Sequence, residues 1–344
     1  MDSVTSPRIS IRDVAAATGV SKSHVCDILR NRAGPSKETR ERVLRAAKQL
    51  GYVPDARIAS WMATVKRARN KDLLPIAWLN TEKEEDAWHK HRYFSPYFEG
   101  AQARARELGY HLDEIWTRQP GMTMRRVSQI LSQRGIEGII VAPPTKHVRF
   151  HWDHLAGVSL EGTLLAPGLY RVMANSSFNL LLALKSVRRC GYRRIGICLG
   201  EWVDRSSHHA IRSALYYFHS LLPGAEQITP LFYQPLAIEP QIKAWLRRSK
   251  PDVVIGLDNR LVQWIEAAGR RVPEQIGVVH LATDDDVSDW AGICSNKREM
   301  GAAAAEWVIS LMKNRQFGIP RTAMEIFVRG RWHPGRTLLN PKPR

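Results

Sequence analysis

The stretch ISIRDVAAATGVSKSHVCDIL, Ile9 to Leu29, decides how the start of this chain folds. Ile11, Val14 and Ala15 recur at helical spacing, and Gly19 stands where the helix must end in a conformation with positive φ. Val20 plugs the turn, and Ser21 is placed to cap a second helix from about Lys22 to Leu29. Val25, Ile28 and Leu29 give that helix an inner face, which leaves Lys22, Ser23, His24 and Asp27 outward near its N-terminal half. Two short helices around a glycine turn, the second presenting polar side chains from the end that enters the major groove, form a helix-turn-helix unit.

A third helix is predicted next. Pro35-Ser36 opens it, Val43, Leu44, Ala47 and Leu50 make its apolar stripe, and Gly51 ends it. Lys37, Arg40, Arg42, Arg45 and Lys48 surround the stripe, where they can touch phosphates or remain solvated. Charge supports the same reading. The chain carries 51 Lys+Arg against 33 Asp+Glu, a formal +18, and residues 1–70 alone hold 14 basic and 6 acidic side chains. Charge is therefore densest where the helix-turn-helix lies, as expected of a module that meets double-stranded DNA.

The runs RDVAAATGVSKSHVCDIL and SKETRERVLRAAKQLGYVPD resemble the head of the LacI/GalR family of bacterial repressors. The family patterns are "xDVAxxAGVSxxTVSxxLN" and "VSxxTRxRVxxAxxxLGYxPN". Asp13, Val14, Ala15, Gly19, Val20, Ser21, Val25, Leu29, Thr39, Arg40, Val43, Ala46, Leu50, Gly51, Tyr52 and Pro54 match in order. The resemblance implies DNA contacts from Ser21, Lys22, Ser23, His24, Asp27, Arg30, Thr39 and Arg40. It also marks departures, since His24, Cys26 and Arg30 stand where the family usually has Thr, Ser and Asn. Asp27 occupies a position that is often Arg. An aspartate there would accept from cytosine N4, orient Lys22 or His24, or simply face solvent.

After Pro54 the segment DARIASWMATVKRARNKD is amphipathic, with Ile58, Trp61 and Met62 on one side. The resemblance implies a hinge helix that forms on the operator and drives an apolar wedge into the minor groove. Counting from Pro54 puts Trp61, with Met62 beside it, at the wedge; the alternative is that both pack the dimer.

From about Leu73, short apolar strands alternate with amphipathic helices. Strands are predicted at 75–80, 110–116, 138–143, 193–200, 252–258 and 276–282, and helices at 98–109, 125–135, 179–191 and 259–269. That alternation predicts an α/β body of doubly wound parallel sheets, whose ligands bind at the carboxyl ends of the strands. FEGAQARARELGYHL, VRRCGYRRIGICLG, AAGRRVPEQIGVVHLA and KREMGAAAAEWVISLM are similar to segments of the family's effector domain. The resemblance implies a head at residues 1–54, a hinge and linker at 55–72, and an effector and dimerisation domain at 73–340. That domain would hold two periplasmic-binding-protein-like subdomains, roughly 73–175 plus 297–327 and 176–296 plus 328–340.

Site residues match the family less closely here. Asn80, Trp88, Arg205, His209, Asp258 and Asp284 are the candidates for an effector cleft. Carboxylates and amides there would serve a sugar's hydroxyls and Trp88 its ring face. No GxGxxG, GxxxxGK[ST] or GxSxG motif is present, so neither a nucleotide cofactor nor catalysis is expected. Cys26, Cys190, Cys198 and Cys294 lack the paired spacing of a zinc site or disulfide framework, and His147, His151 and His154 lack partnering acids or thiols. With no apolar stretch long enough to span a membrane, a cytoplasmic protein is expected. The expected function is a homodimeric transcriptional regulator that binds a pseudo-palindromic operator and a small sugar-like effector. The alternatives are a regulator whose effector site is lost or not for sugars, and a sugar-binding or enzymatic body with a vestigial head.

Overall fold

A computed structural model describes residues 10–29, 36–52, 73–145, 147–148, 151–161, 168–234, 238–284 and 287–339. The chain divides into two compact units, residues 1–73 and 74–344.

In the first unit α1 (Ile11–Thr18), α2 (Lys22–Leu29) and α3 (Lys37–Gln49) pack around Val14, Val25, Ile28, Val43 and Ala47. Each end is closed by the residue type its geometry needs. The Asp13 carboxylate accepts from the Ser10 backbone N–H and hydroxyl, both at 2.7 Å. Gly19 ends α1 at φ 67° and donates its N–H to Ala15 O at 2.9 Å, a backbone state that glycine reaches without a Cβ penalty. The Ser21 hydroxyl accepts from His24 N–H at 3.3 Å and that of Ser36 from Thr39 N–H at 3.2 Å, the capping expected at both helix starts. The apolar stripe of α3 is narrower than expected, because Leu44 is 46% exposed. Val43 and Ala47 share the inner face at i, i+4, and a rotation of about 100° per residue carries Leu44 off it.

The second unit holds two six-stranded sheets. The first contains β1 (Leu74–Asn80), β2 (Tyr110–Trp116), β3 (Gly138–Val141), β4 (Ala156–Leu160), β5 (Tyr170–Ala174) and β11 (Glu325–Val328), in the order β11-β5-β4-β3-β1-β2 and parallel throughout. The second contains β6 (Ile195–Gly200), β7 (Leu231–Tyr233), β8 (Val253–Gly256), β9 (Gly277–His280), β10 (Gly292–Cys294) and β12 (Arg331–His333), in the order β12-β10-β9-β8-β6-β7. It is parallel except for β12, which returns antiparallel to β10. The inner strands β3, β4, β6, β8 and β9 are buried along their whole length because both faces are covered. On the first sheet α4 (Ala87–Lys90), α5 (Ser95–Glu107) and α12 (Lys297–Lys313) cover one face and α6 (Met124–Gln133) the other. On the second, α7 (Ser176–Arg189) and α9 (Ala210–Ser220) lie opposite α10 (Ile238–Ser249) and α11 (Leu261–Ala267), with the short α8 (Glu201–Ser206) following β6. The chain crosses between the sheets after β5, after β10 and between β11 and β12. Among the described residues no helix is long and apolar enough to cross a membrane.

Candidate DNA-reading face and ligand site

The buried positions of α2, Val25 and Ile28, fix its rotation against α1 and α3. That rotation leaves Lys22 and His24 exposed beside the capping Ser21, while Asp27 is half-buried and engaged in interactions of its own. Polar side chains thus flank an N-terminus whose amides and dipole favour negative charge. The Thr39 hydroxyl shares a 2.9 Å hydrogen bond with the Ser36 hydroxyl, so Thr39 helps to close the start of α3; Arg40 is half-buried next to it. Ser23 lies on α2, but its side chain, together with Arg30, Trp61 and Met62, lies outside the described residues.

At the carboxyl ends of the first sheet the predicted residues take internal partners. Asn80 ends β1 and is 1% exposed. Its Oδ1 accepts from Glu82 N–H and its Nδ2 donates to Glu85 O, both at 2.8 Å, so the amide organises the loop after the strand. Trp88 departs from the expectation of a ring face open to ligand. It is 1% exposed, edge-on to Trp78 at 5.0 Å and tilted against Phe94 at 4.7 Å. The segment 81–94 folds back over the sheet instead of projecting, which turns an expected ligand face into core.

The second sheet keeps more polar character open. Arg205 is exposed and lies 3.9 Å from Glu201. His209 has φ 62° and its Nδ1 meets Asp204 Oδ2 at 2.7 Å. Asp204 is fully buried and also accepts from Arg212 Nε at 2.7 Å and Arg212 N–H at 3.1 Å. Asp258, just beyond β8, is gripped by Arg260 Nε at 3.0 Å and Nη2 at 2.9 Å. Burial alone would raise the Asp258 pKa, but the Arg260 hydrogen bonds and charge outweigh it and hold the carboxylate below its usual range. Asp284 accepts from the Ser295 hydroxyl at 2.7 Å and from the N–H groups of Ser295 and Lys297 at 3.1 and 3.2 Å, fixing the crossover into α12.

Several neighbours escaped the sequence reading. Lys297, 2% exposed, donates to Tyr93 O at 3.2 Å, and its ammonium lies 3.7 Å from the Tyr93 ring centroid. Below it Tyr97 donates to Glu161 Oε1 at 2.5 Å, and burial pushes the Glu161 carboxyl up. Arg171 Nη1 reaches His208 Nε2 at 3.2 Å, joining a strand of the first sheet to the α8–α9 turn of the second. Trp202, in the first turn of α8 after β6, is 60% exposed and offers the open ring face that Trp88 lacks. Its position after the strand-ending LG was the one available signal; the other contacts are long-range and leave no local pattern. His280, at the end of β9, is buried, and its pKa is pushed down to about 4. Among the described residues no group of three or more His, Cys, Asp or Glu side chains is placed to hold a metal.

Residues 10–55 match the model of the bacterial regulatory proteins of the lacI family. The chain is 26% identical over 132 residues to the HTH-type transcriptional regulator MalR of Streptococcus pneumoniae, a match covering 38% of this chain and 38% of that protein. It is 21% identical over 327 residues to the ribose operon repressor of Haemophilus influenzae, covering 89% of this chain and 92% of that one. The fold is similar to that of a transcriptional regulator CelR–cellobiose complex, with a TM-score of 0.56 and 18% identity over 96% of this chain and 100% of the other.

Proposed function

We propose that this chain, whose residues 10–55 match the lacI family of bacterial regulatory proteins, is a sequence-specific, DNA-binding transcriptional regulator rather than an enzyme. One observation carries the reading: α2 is rotated by buried Val25 and Ile28 so that Ser21, Lys22 and His24 are presented at a capped helix N-terminus. In this proposal residues 1–54 are the head, 55–72 the hinge bearing Trp61 and Met62, and 73–340 the effector and dimerisation domain. Two copies act in the cytoplasm on a pseudo-palindromic operator, because a two-fold pair of heads reads two half-sites. The body takes a small sugar-like effector at the carboxyl ends of its strands, with Arg205 and the exposed Trp202 open to it and with His209 and Asp258 presented in their pairs with Asp204 and Arg260. The CelR–cellobiose complex supports that class of ligand.

Selection of bound sequences from random duplex DNA, followed by band-shift, tests the reading. A single palindromic motif, retarded at low salt where a scrambled duplex is not, is the expected result. Absence of any preferred sequence would overturn it. A second reading, a regulator whose effector site is lost or not for sugars, is favoured by the internal engagement of Asn80, Trp88 and Asp284. A sugar panel that leaves the melting temperature unmoved selects this second reading.

A further inference from the structure

The second sheet's other edge has a different chemistry. β6, β8 and β9 run parallel with Ile195 beside Val253 and Val253 beside Gly277. The segments leading into these strands therefore lie side by side. They and the last turns of α7 and α10 carry Arg189, Arg247, Arg248, Lys250, Arg270 and Arg271, all exposed and none with a hydrogen-bond or ion-pair partner for its side chain among the described residues. Nearby cations are occupied differently. Arg188 pairs with Glu226, and Arg194 donates to the carbonyls of Ala225, Ser249 and Lys250. Cations in a last helical turn offset the helix dipole, which accounts for Arg189, Arg247 and Arg248 but not for Lys250, Arg270 and Arg271, which lie beyond helix ends.

Within this edge is a cavity of about 260 Å³ lined by Leu246, Lys250, Pro251, Arg270, Gln275 and Ile276. Leu246, Pro251 and Ile276 are buried and supply an apolar floor. Lys250 and Arg270 supply two cations, and no carboxylate lines the cavity. The Gln275 Oε1 accepts from Arg271 N–H at 2.9 Å, which leaves its amide NH2 as a further donor. The volume is just below that of pockets for drug-sized ligands, about 300 Å³ and upward, and suits a molecule of one ring.

We propose that this cavity is a second ligand site, at the opposite end of the strands from the effector residues, for a small organic anion. The ligand is a phosphate monoester or carboxylate whose oxyanion meets Lys250 and Arg270 and whose apolar body rests on Leu246, Pro251 and Ile276. Charge-assisted hydrogen bonds to a guanidinium and an ammonium supply the affinity. The floor discriminates against bare inorganic anions, and the surrounding unpaired arginines raise the local anion concentration.

The test is calorimetric titration of the full chain with phenyl phosphate and with benzoate, using inorganic phosphate and phenol as controls. Saturable binding of one of the aromatic anions, about tenfold or more tighter than either control, is expected, and which anion binds distinguishes the two oxyanions. Arg270→Gln, alone and with Lys250→Asn, should weaken it by about tenfold or more with the melting temperature unchanged; Asn suits position 250 because Lys250 has φ 45°. No saturable binding, equal affinity for inorganic phosphate, or unchanged binding in both variants would overturn the proposal. So would occupancy of these cations by random-sequence DNA alone, which would make the edge a polyanion surface.

Discussion

Asp204 shows how one buried carboxylate sets the shape of the second sheet's carboxyl end. It is fully buried, yet the charge is compensated by His209 Nδ1, Arg212 Nε and Arg212 N–H. Removing it leaves Arg212 paired with Glu201 alone and frees the His208–His209 turn, where both residues hold positive φ. Asp204→Ala should cost on the order of 2–3 kcal/mol, discounted from a fully buried pair because Arg212 is partly solvated. Urea unfolding measures this, and a loss below about 0.5 kcal/mol would contradict it. His280 makes a pH prediction. Burial lowers its folded pKa to about 4, whereas the unfolded side chain titrates near 6.5. Between those values the unfolded chain binds the extra proton, so stability falls as pH drops from 6.5 toward 4. The term is on the order of 3 kcal/mol. His280→Gln should therefore lose less stability than the wild type between pH 7.5 and 4.5, compared by urea midpoints. Equal losses would show that His280 accepts a proton in the fold.

The crossing of α5 and α12 is the element that brings the hidden cluster together. A Cβ on Gly100 would lie 1.9 Å from Arg298 O, and one on Gly301 1.9 Å from Tyr97 O. Reciprocal glycines thus let the two helices approach backbone to backbone, and this closeness places the Lys297 ammonium over Tyr93 and Tyr97. Gly301→Ala must push the helices apart. It should destabilise the protein by about 1–3 kcal/mol and expose Lys297, read as a gain in its reactivity toward an amine-selective acylating reagent identified by peptide mapping. Full stability with Lys297 still protected would refute that account. The same element marks the limit of what the sequence reveals. The strands at 110–116 and 138–141 and the caps at Ser21, Ser36 and Gly19 follow from local pattern, because period and turn chemistry are local. β4, β5, β7 and β10 to β12 leave a weaker local signal: they are three to five residues long, and polar side chains interrupt runs such as Tyr170–Ala174 and Arg331–His333. A tryptophan in a polar insertion reads as solvent-facing, whereas Trp88 is buried because Trp78, Phe94 and Phe98 gather in that part of the fold. Lys297 with Glu161, and Arg171 with His208, come from positions far apart in the chain, so no spacing rule reports them.

At the scale of the body, the proposed function requires the two sheets to have arrangements that a ligand can tell apart and that alter DNA affinity. Arg171 and His208 are placed to bias such an equilibrium. Arg171 extends from β5, its side chain 13% exposed and 3.8 Å from Glu325 on β11, and its Nη1 donates to His208 Nε2 at 3.2 Å in the other sheet's α8–α9 turn. Arginine has no acceptor, so the bond requires a ring nitrogen of His208 carrying a lone pair; a doubly protonated ring would repel the guanidinium. Breaking a single bond of this kind shifts an equilibrium by about 1 kcal/mol, roughly fivefold in population. His208→Gly removes the acceptor and adopts the φ of 51° at this position without a Cβ penalty. In the selected-operator band-shift it should change operator affinity by about threefold to tenfold, with the unfolding midpoint of the body nearly unchanged because His208 lies on the surface of its lobe. Arg171→Met should shift affinity in the same direction, and the double variant by no more than either alone, since both remove one contact. Additive effects in the double variant, or none in the single ones, would show that the contact does not couple the sheets.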